Sequence, residues 1–135
     1  MATPVHGKRY VETFNAVTIC SATANLDVAA DAAEVTTSCD AAKAFLQGKY
    51  GWTAGNGGPA DFADDGGDEV MYTNVVGEGN VAYTIKPNSA APGATNPNYT
   101  GSAFVTSYGL AFDQANAVQA STSYQGTGAL TRAVA

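Results

Sequence analysis

The sequence predicts a mainly β domain with a single helix, and three observations carry that reading. Val and Thr together number 27, whereas Leu and Met together number only 6. Branching at Cβ suits a pleated surface and stiffens χ1 against helix. Apolar residues alternate with small or polar ones over residues 81–86, 101–112 and 118–130, the period of a half-buried strand. Only residues 68–76 join carboxylates at the start, an apolar run and a glycine just beyond it, the pattern of a capped helix. A length of 135 residues suits one domain over 1–135. A domain of this size buries roughly 68–70% of its unfolded surface and needs no metal or disulfide staple.

Residues 1–8 read as an extended arm. Tyr10, Val11, Phe14, Val17 and Ile19 then mark one or two strands over 9–20. Residues 21–33, rich in Ala, Asp and Asn, carry no clean 3.6-residue stripe and read as a loop or irregular segment. Glu34-Val35-Thr36-Thr37 is strand-like, and Ser38-Cys39-Asp40 makes a turn. A strand follows in which Leu46, Tyr50 and Trp52 alternate with Gln47, Lys49 and Thr53. Gly55-Asn56-Gly57-Gly58-Pro59 reads as a loop. The helix at 68–76 has Asp64, Asp65 or Asp68 as N-terminal cap and Gly77 as C-terminal cap, and Gly66-Gly67 count against extending it upstream. Val81, Tyr83 and Ile85 form a strand, and residues 88–98 form a Pro/Gly/Asn loop. Two long strands close the chain. In the first, Phe104, Tyr108, Leu110 and Phe112 share a face expected to form the core with Tyr124. In the second, Val118, Ala120, Tyr124 and Leu130 oppose Gln119, Ser121, Ser123, Gln125 and Thr127.

The charge balance excludes several functions. Acids outnumber bases 12 to 6, for a formal net charge of −6, so there is no basic excess to displace counterions from nucleic acid. No apolar run approaches ~18–20 residues, so no membrane insertion is expected. The first residues lack the apolar core of a signal peptide. Cys20 and Cys39 lack zinc-knuckle or CxxC spacing and are expected as reduced thiols, with Cys20 a small core residue. His6 stands alone, so no triad or His-based metal cluster is available. The carboxylates of residues 61–69 offer hard oxygen ligands but not the alternating pattern of a calcium loop, and read as a solvated helix entrance. There is no GxSxG elbow, phosphate loop or HExxH. No enzyme activity and no cofactor is expected.

Charged residues are only 13% of the chain, about half the usual ~25%. The scarcity falls on the closing strands, whose second face is small and uncharged. Long strands with few edge charges lack the usual defence against pairing with a neighbour, and strands built to join a neighbour need none. Assembly and a plain polar β-sandwich are both compatible with this pattern.

Four stretches, in order, carry a resemblance. They are Met1-Ala2-Thr3-Pro4-Val5-His6-Gly7-Lys8; residues 34–48 (EVTTSCDAAKAFLQG); residues 98–108 (NYTGSAFVTSY); and residues 122–131 (TSYQGTGALT). Together they resemble the major tail tube proteins of long-tailed bacteriophages, of siphovirus type, over nearly the whole chain. Cys39, where small Gly-like residues are common, and the Gly-rich segment 56–67 depart from that pattern.

The resemblance implies an antiparallel β-sandwich or barrel flanked by one α-helix, an architecture shared with type VI secretion tube proteins. It implies a structural virion protein whose hexameric rings stack into a hollow tail tube, assembled in the bacterial host cytoplasm. DNA would pass through that tube at ejection without specific binding. The implied partners are further copies of the chain and the tape-measure, tail-tip and terminator proteins. The arm residues Thr3, Pro4, Val5, His6 and Lys8 would bridge rings. An extended loop at about 34–48, with Thr36, Thr37, Asp40, Lys43 and Phe45, would reach a neighbouring subunit. Gln119, Ser121, Ser123 and Gln125 would face the lumen, where a neutral wall suits a passing polyanion. The competing expectation is a carbohydrate-binding β-sandwich module of a virion or cell surface, with Trp52 and the seven tyrosines as candidate sugar contacts.

Overall fold

The structure, a computed structural model, describes residues 10–62, 66–87, 92–93 and 96–134. The arm residues Thr3, Pro4, Val5, His6 and Lys8, the capping candidates Asp64 and Asp65, and part of the 88–98 loop lie outside the described residues. Seven strands form one antiparallel sheet: β1 (Val11–Phe14), β2 (Val17–Ile19), β3 (Thr23–Glu34), β4 (Phe45–Pro59), β5 (Val81–Lys86), β6 (Asn98–Ala111) and β7 (Gln119–Ala133). Their order is β2-β1-β5-β6-β7-β4-β3. A short helix, α1 (Gly67–Thr73), continues into a wide π-type turn, Asn74–Glu78.

That order forces the sheet to curl. β2 and β3 are its two edges, yet only residues 20–22 separate them in the chain. A flat sheet of seven strands would hold its edges roughly 29 Å apart, and four Cα steps span at most about 14 Å. The interior agrees. Phe14 of β1 and Tyr124 of β7 lie three strands apart in the sheet, but their ring centroids are 4.9 Å apart. The result is a rolled, barrel-like sheet; just before β3 the Ala22 N–H donates to the Gly57 carbonyl of β4 at 2.8 Å, extending the β3–β4 ladder. β1 and β2 are joined by Asn15 and Ala16, both at positive φ (52° and 65°), as a two-residue type I′ hairpin requires.

Several sequence expectations need correction. Residues 21–33 are not irregular; most of them belong to β3, which pairs with β4 along its length. Its alternation sets Thr23, Asn25 and Asp27 outside against Ala24 and Leu26 half-buried inside, and alanines are too small to make that visible. Val35-Thr36-Thr37 lie in the β3–β4 loop rather than in a strand. Gly55-Asn56-Gly57-Gly58-Pro59 is not a loop but the inner end of β4, held between β3 and β7. Its glycines answer to crowding: a Cβ at Gly58 would stand 2.5 Å from the Ala22 amide nitrogen. Among the described residues no aspartate caps α1. Gly66 occupies the cap without a side-chain bond, while Asp68 Oδ1 accepts the Tyr108 hydroxyl at 2.6 Å. Gly77 turns the chain at φ 137° inside the wide turn, and Gly79 ends it.

The core consists of Phe14, Ile19, Trp52, Ala54, Met71, Tyr83, Ala103, Val105 and Tyr124. Tyr124 was expected there, and Tyr108 packs against it. Phe104 is only half-buried, Leu110 is exposed, and Phe112 is 74% exposed. A β-bulge between Val105 and Ser107 shifts the inward face by one residue and turns Phe104 away from it; Leu110 and Phe112 keep the parity of Tyr108 but lie at and beyond the end of β6 at Ala111. Ala103 and Val105 point inward before the bulge, and Tyr108 does so after it. Cys20 is exposed rather than buried; it and the exposed Cys39 are free thiols. No helix among the described residues is long and apolar enough to cross a membrane.

Candidate assembly surfaces

A polar cluster inside the barrel fixes the strands that carry the outer surfaces. Glu12 is fully buried. Its Oε1 accepts from Asn56 Nδ2 at 2.9 Å, and its Oε2 accepts the Tyr83 hydroxyl at 2.5 Å. Asn56 also donates to the Tyr124 hydroxyl at 2.7 Å. One carboxyl thereby ties β1 to β4, β5 and, through Asn56, β7. Burial pushes the Glu12 pKa above the ordinary 4.5, against the opposing effect of the hydrogen bonds from Tyr83 and Asn56. Burial also holds the Tyr83 and Tyr124 hydroxyls protonated well beyond the ordinary phenol range, with the Glu12 charge adding to the effect.

The helix is locked to the sheet at the bulge. The side chain of buried Asn74 accepts from the Val105 N–H at 2.6 Å and donates to the Gly79 carbonyl at 2.9 Å. Trp52 stands where β4 leaves the barrel. It is 2% exposed and lies under Gly101 and Gly126, whose absent Cβ atoms would fall 2.5 Å and 2.2 Å from its ring.

Beyond Trp52, β4 loses one neighbour. Its pairing with β7 stops at Thr53 and Gln125, whereas its pairing with β3 continues to Glu34 and Phe45. The result is a two-stranded ribbon, at whose base the Tyr50 hydroxyl accepts from the Leu130 N–H of β7 at 3.1 Å. Phe45 (56% exposed), Leu46, Tyr50, Val28 and Val35 are exposed on it or at its tip. Cross-strand pairing sets Phe45 and Tyr50 opposite Glu34 and Ala30, on the continuation of the face that holds Val28 and Trp52. An isolated two-stranded ribbon is marginal in water, and apolar side chains on it are expensive to leave wet. A second exposed apolar patch, Tyr72, Val75 and Val76, lies on α1 and the turn after it.

The outward face of the barrel is different. Gln119, Ser121, Ser123 and Gln125 of β7 are exposed, while Thr122 and Tyr124 between them are buried. Beside them lie Thr53, Gly55 and Gly57 of β4, and then Asp27, Asn25 and Thr23 of β3. Asp27 is the single charged group in those three rows. The shallow groove across this face has no exposed aromatic in its lining, since its Tyr124 is buried.

Among the residues singled out from the sequence, Thr36, Thr37 and Asp40 organise the loop at the ribbon tip. Thr36 Oγ1 accepts from the Ala44 N–H at 2.8 Å, and Asp40 Oδ2 accepts from the Thr37 N–H at 2.7 Å. Lys43 is exposed in the same loop, and Phe45 opens β4. The structure thus brings these five to one ribbon end, whereas Gln119, Ser121, Ser123 and Gln125 sit on the barrel wall. Sequence reasoning missed Leu46, Tyr50, Val28, Tyr72 and Val76. Their apolar character reads as core, and only the loss of a neighbouring strand exposes the first three.

No family model and no curated protein sequence matches the chain. Solved structures do. The chain is similar to a protein of the native gene transfer agent virion, with a TM-score of 0.78 and 15% identity, covering 94% of this chain and 97% of that one. It is similar to the SPP1 tail tube protein, with a TM-score of 0.78 and 11% identity over 98% of this chain and 80% of that one. It is also similar to a protein of the PVC sheath–tube complex, an extracellular contractile injection system, with a TM-score of 0.73 and 11% identity over 98% and 93%. The chain has the tail-tube fold.

Proposed function

We propose that this chain is the structural subunit of a phage-type tail tube. Copies assemble into hexameric rings, and the rings stack into a hollow tube in the virion tail, formed in the host cytoplasm. DNA travels through its bore at ejection. The role is structural rather than enzymatic. Tape-measure, tail-tip and terminator proteins are the partners such a tube needs at its core and ends.

The observation that carries this reading is the ribbon: on a tail-tube fold, a two-stranded extension holds apolar side chains that its own chain leaves uncovered. Covering them with a neighbour converts an unfavourable surface into a contact. The neutral outward face supports the second half of the reading. A wall of Gln, Ser, Thr and Asn offers a polyanion neither strong attraction nor strong repulsion, so we place Gln119, Ser121, Ser123 and Gln125 at the bore. A sugar-binding module is less well supported, because binding pockets are typically lined by aromatic side chains and this groove exposes none.

Negative-stain micrographs of the purified protein should show rings and tubes with six-fold end views. Monodisperse monomers at every concentration and salt tested, in micrographs and in sedimentation, would refute the proposal.

A further inference from the structure

Asn56-Gly57 is the only Asn-Gly step in the chain. In an unfolded chain this pair is the step most prone to lose its side-chain amide, because the glycine has no Cβ to shield its backbone nitrogen. The Gly57 nitrogen gives up its proton and attacks Asn56 Cγ. A C–N bond closes a five-membered succinimide, and ammonia leaves. Water then opens the ring at either carbonyl. The product is aspartate or, with the main chain rerouted through the side chain, isoaspartate.

The fold forbids that attack. Asn56 is paired with Ala24 of β3 and Thr122 of β7, and Gly57 with Thr23 and Ser121. An extended backbone turns the next nitrogen away from the side-chain carbonyl carbon, and pairing on both sides holds it there. The side chain is tied as well. Its Nδ2 donates to Glu12 Oε1 at 2.9 Å and to the Tyr124 hydroxyl at 2.7 Å.

We propose that Asn56-Gly57 is a deamidation site guarded by the fold, and that its product disables the chain. Unfolded chains age there into molecules that cannot rebuild the barrel, and folded chains are spared. Aspartate at this position sets a second carboxylate against the fully buried Glu12, and two carboxylates in one desolvated site cannot both ionise. It also removes the amide that donates to Glu12 and Tyr124. Isoaspartate adds a backbone atom to the middle of a strand paired on both sides. The proposal goes beyond the self-assembly reading and does not rest on it.

Ageing tests the guard. Full-length protein is held in guanidinium chloride and, in parallel, in native buffer at the same pH and temperature, both with a reductant. Peptide mass spectrometry should find the acid at residue 56 accumulating in denaturant. In native buffer it should form more slowly by a factor on the order of 10³ or more, the ratio of folded to unfolded chains in a stable domain. Refolded yield, read by Trp52 fluorescence after dilution, should fall in step with the conversion. Gly57→Ala is the control. Its Cβ meets only Thr23 Oγ1 at 3.4 Å and the Ala120 carbonyl at 3.7 Å, and its methyl shields the attacking nitrogen, so its refolded yield should hold. Equal rates in the two solvents, or equal loss of yield in the native chain and Gly57→Ala, overturn the proposal. A second measurement needs no ageing. Asn56→Asp should lower the urea midpoint or abolish folding. Glu12→Gln/Asn56→Asp exchanges acid and amide, leaves one carboxylate in the site, and should recover most of the loss. A double variant no more stable than Asn56→Asp alone also overturns the proposal.

Discussion

Gly126→Ala tests how the barrel is held around its sole tryptophan. A Cβ at position 126 would stand 2.2 Å from Trp52 Cδ2 and Cε2 and 2.6 Å from Nε1. Carbon atoms at rest sit about 3.5–4.0 Å apart, so the indole must retreat by more than 1 Å. It has no room to do so. Trp52 is 2% exposed, and Tyr83 lies behind it at 5.9 Å between ring centroids. Overpacking of this kind costs about 1–3 kcal/mol, and here the upper end applies. Gly128→Ala is the control, since nothing lies within 4 Å of its Cβ and only its φ of +75° opposes the change; about 1 kcal/mol is expected. Urea unfolding followed by Trp52 fluorescence reads both. With an m-value of about 1–3 kcal/mol/M, Gly126→Ala should lower the midpoint by roughly 1–3 M. Trp52→Phe in the same chain, with unfolding followed by far-UV circular dichroism because the tryptophan is gone, should recover part of the loss, as expected for two residues in contact. A Gly126→Ala midpoint equal to that of the Gly128→Ala control would refute the packing argument.

Glu12 gives a pH prediction. Its folded pKa is raised above 4.5 by burial, so the stability it contributes is complete below 4.5 and is lost as pH rises through the raised value. Urea midpoints of the native chain should therefore fall relative to Glu12→Gln over that rise, and parallel pH profiles would contradict it. Asn74→Ala strips the buried Val105 N–H of its acceptor and should cost about 1–3 kcal/mol in the same assay; a change within 0.5 kcal/mol counts against the helix-to-bulge lock. Ser121→Trp, at an exposed position, should leave monomer stability within about 0.5 kcal/mol yet narrow the bore seen in tube cross-sections. An unchanged bore would move β7 away from the lumen.

Much of the fold was legible where bulky residues alternate. Val81, Tyr83 and Ile85 announced β5, and the carboxylates before Val70 announced the helix. Legibility failed where a neighbour rather than the residue decides the structure. Gly55, Asn56 and Gly57 have the composition of a turn, but two flanking strands make them a strand. Ala29, Ala30, Ala32 and Ala33 carry no period because alanine fits either face. The bulge after Val105 leaves no mark in the residue pattern, so Phe104 is read as inward although it pairs with outward Gln125, and Phe112 is exposed because β6 ends before it. The polar face of β7 was legible because Gln119, Ser121, Ser123 and Gln125 interleave with Thr122 and Tyr124 without a bulge.

The strand pairing also sets a timetable. The β3–β4 hairpin is local, closing across the loop between Glu34 and Phe45, whereas β1 must find β5 (Val11 with Lys86) and β4 must find β7 (Thr53 with Gln125). During synthesis at about 5–20 residues per second, the hairpin is released roughly 4–15 s before β7 is complete. Each nascent chain therefore displays the finished ribbon, with Phe45, Leu46 and Tyr50 exposed, while its barrel is still open. Chains growing on one messenger are crowded together during that interval. Slowing initiation or lowering temperature should raise the soluble yield more than any change to the finished subunit's surface.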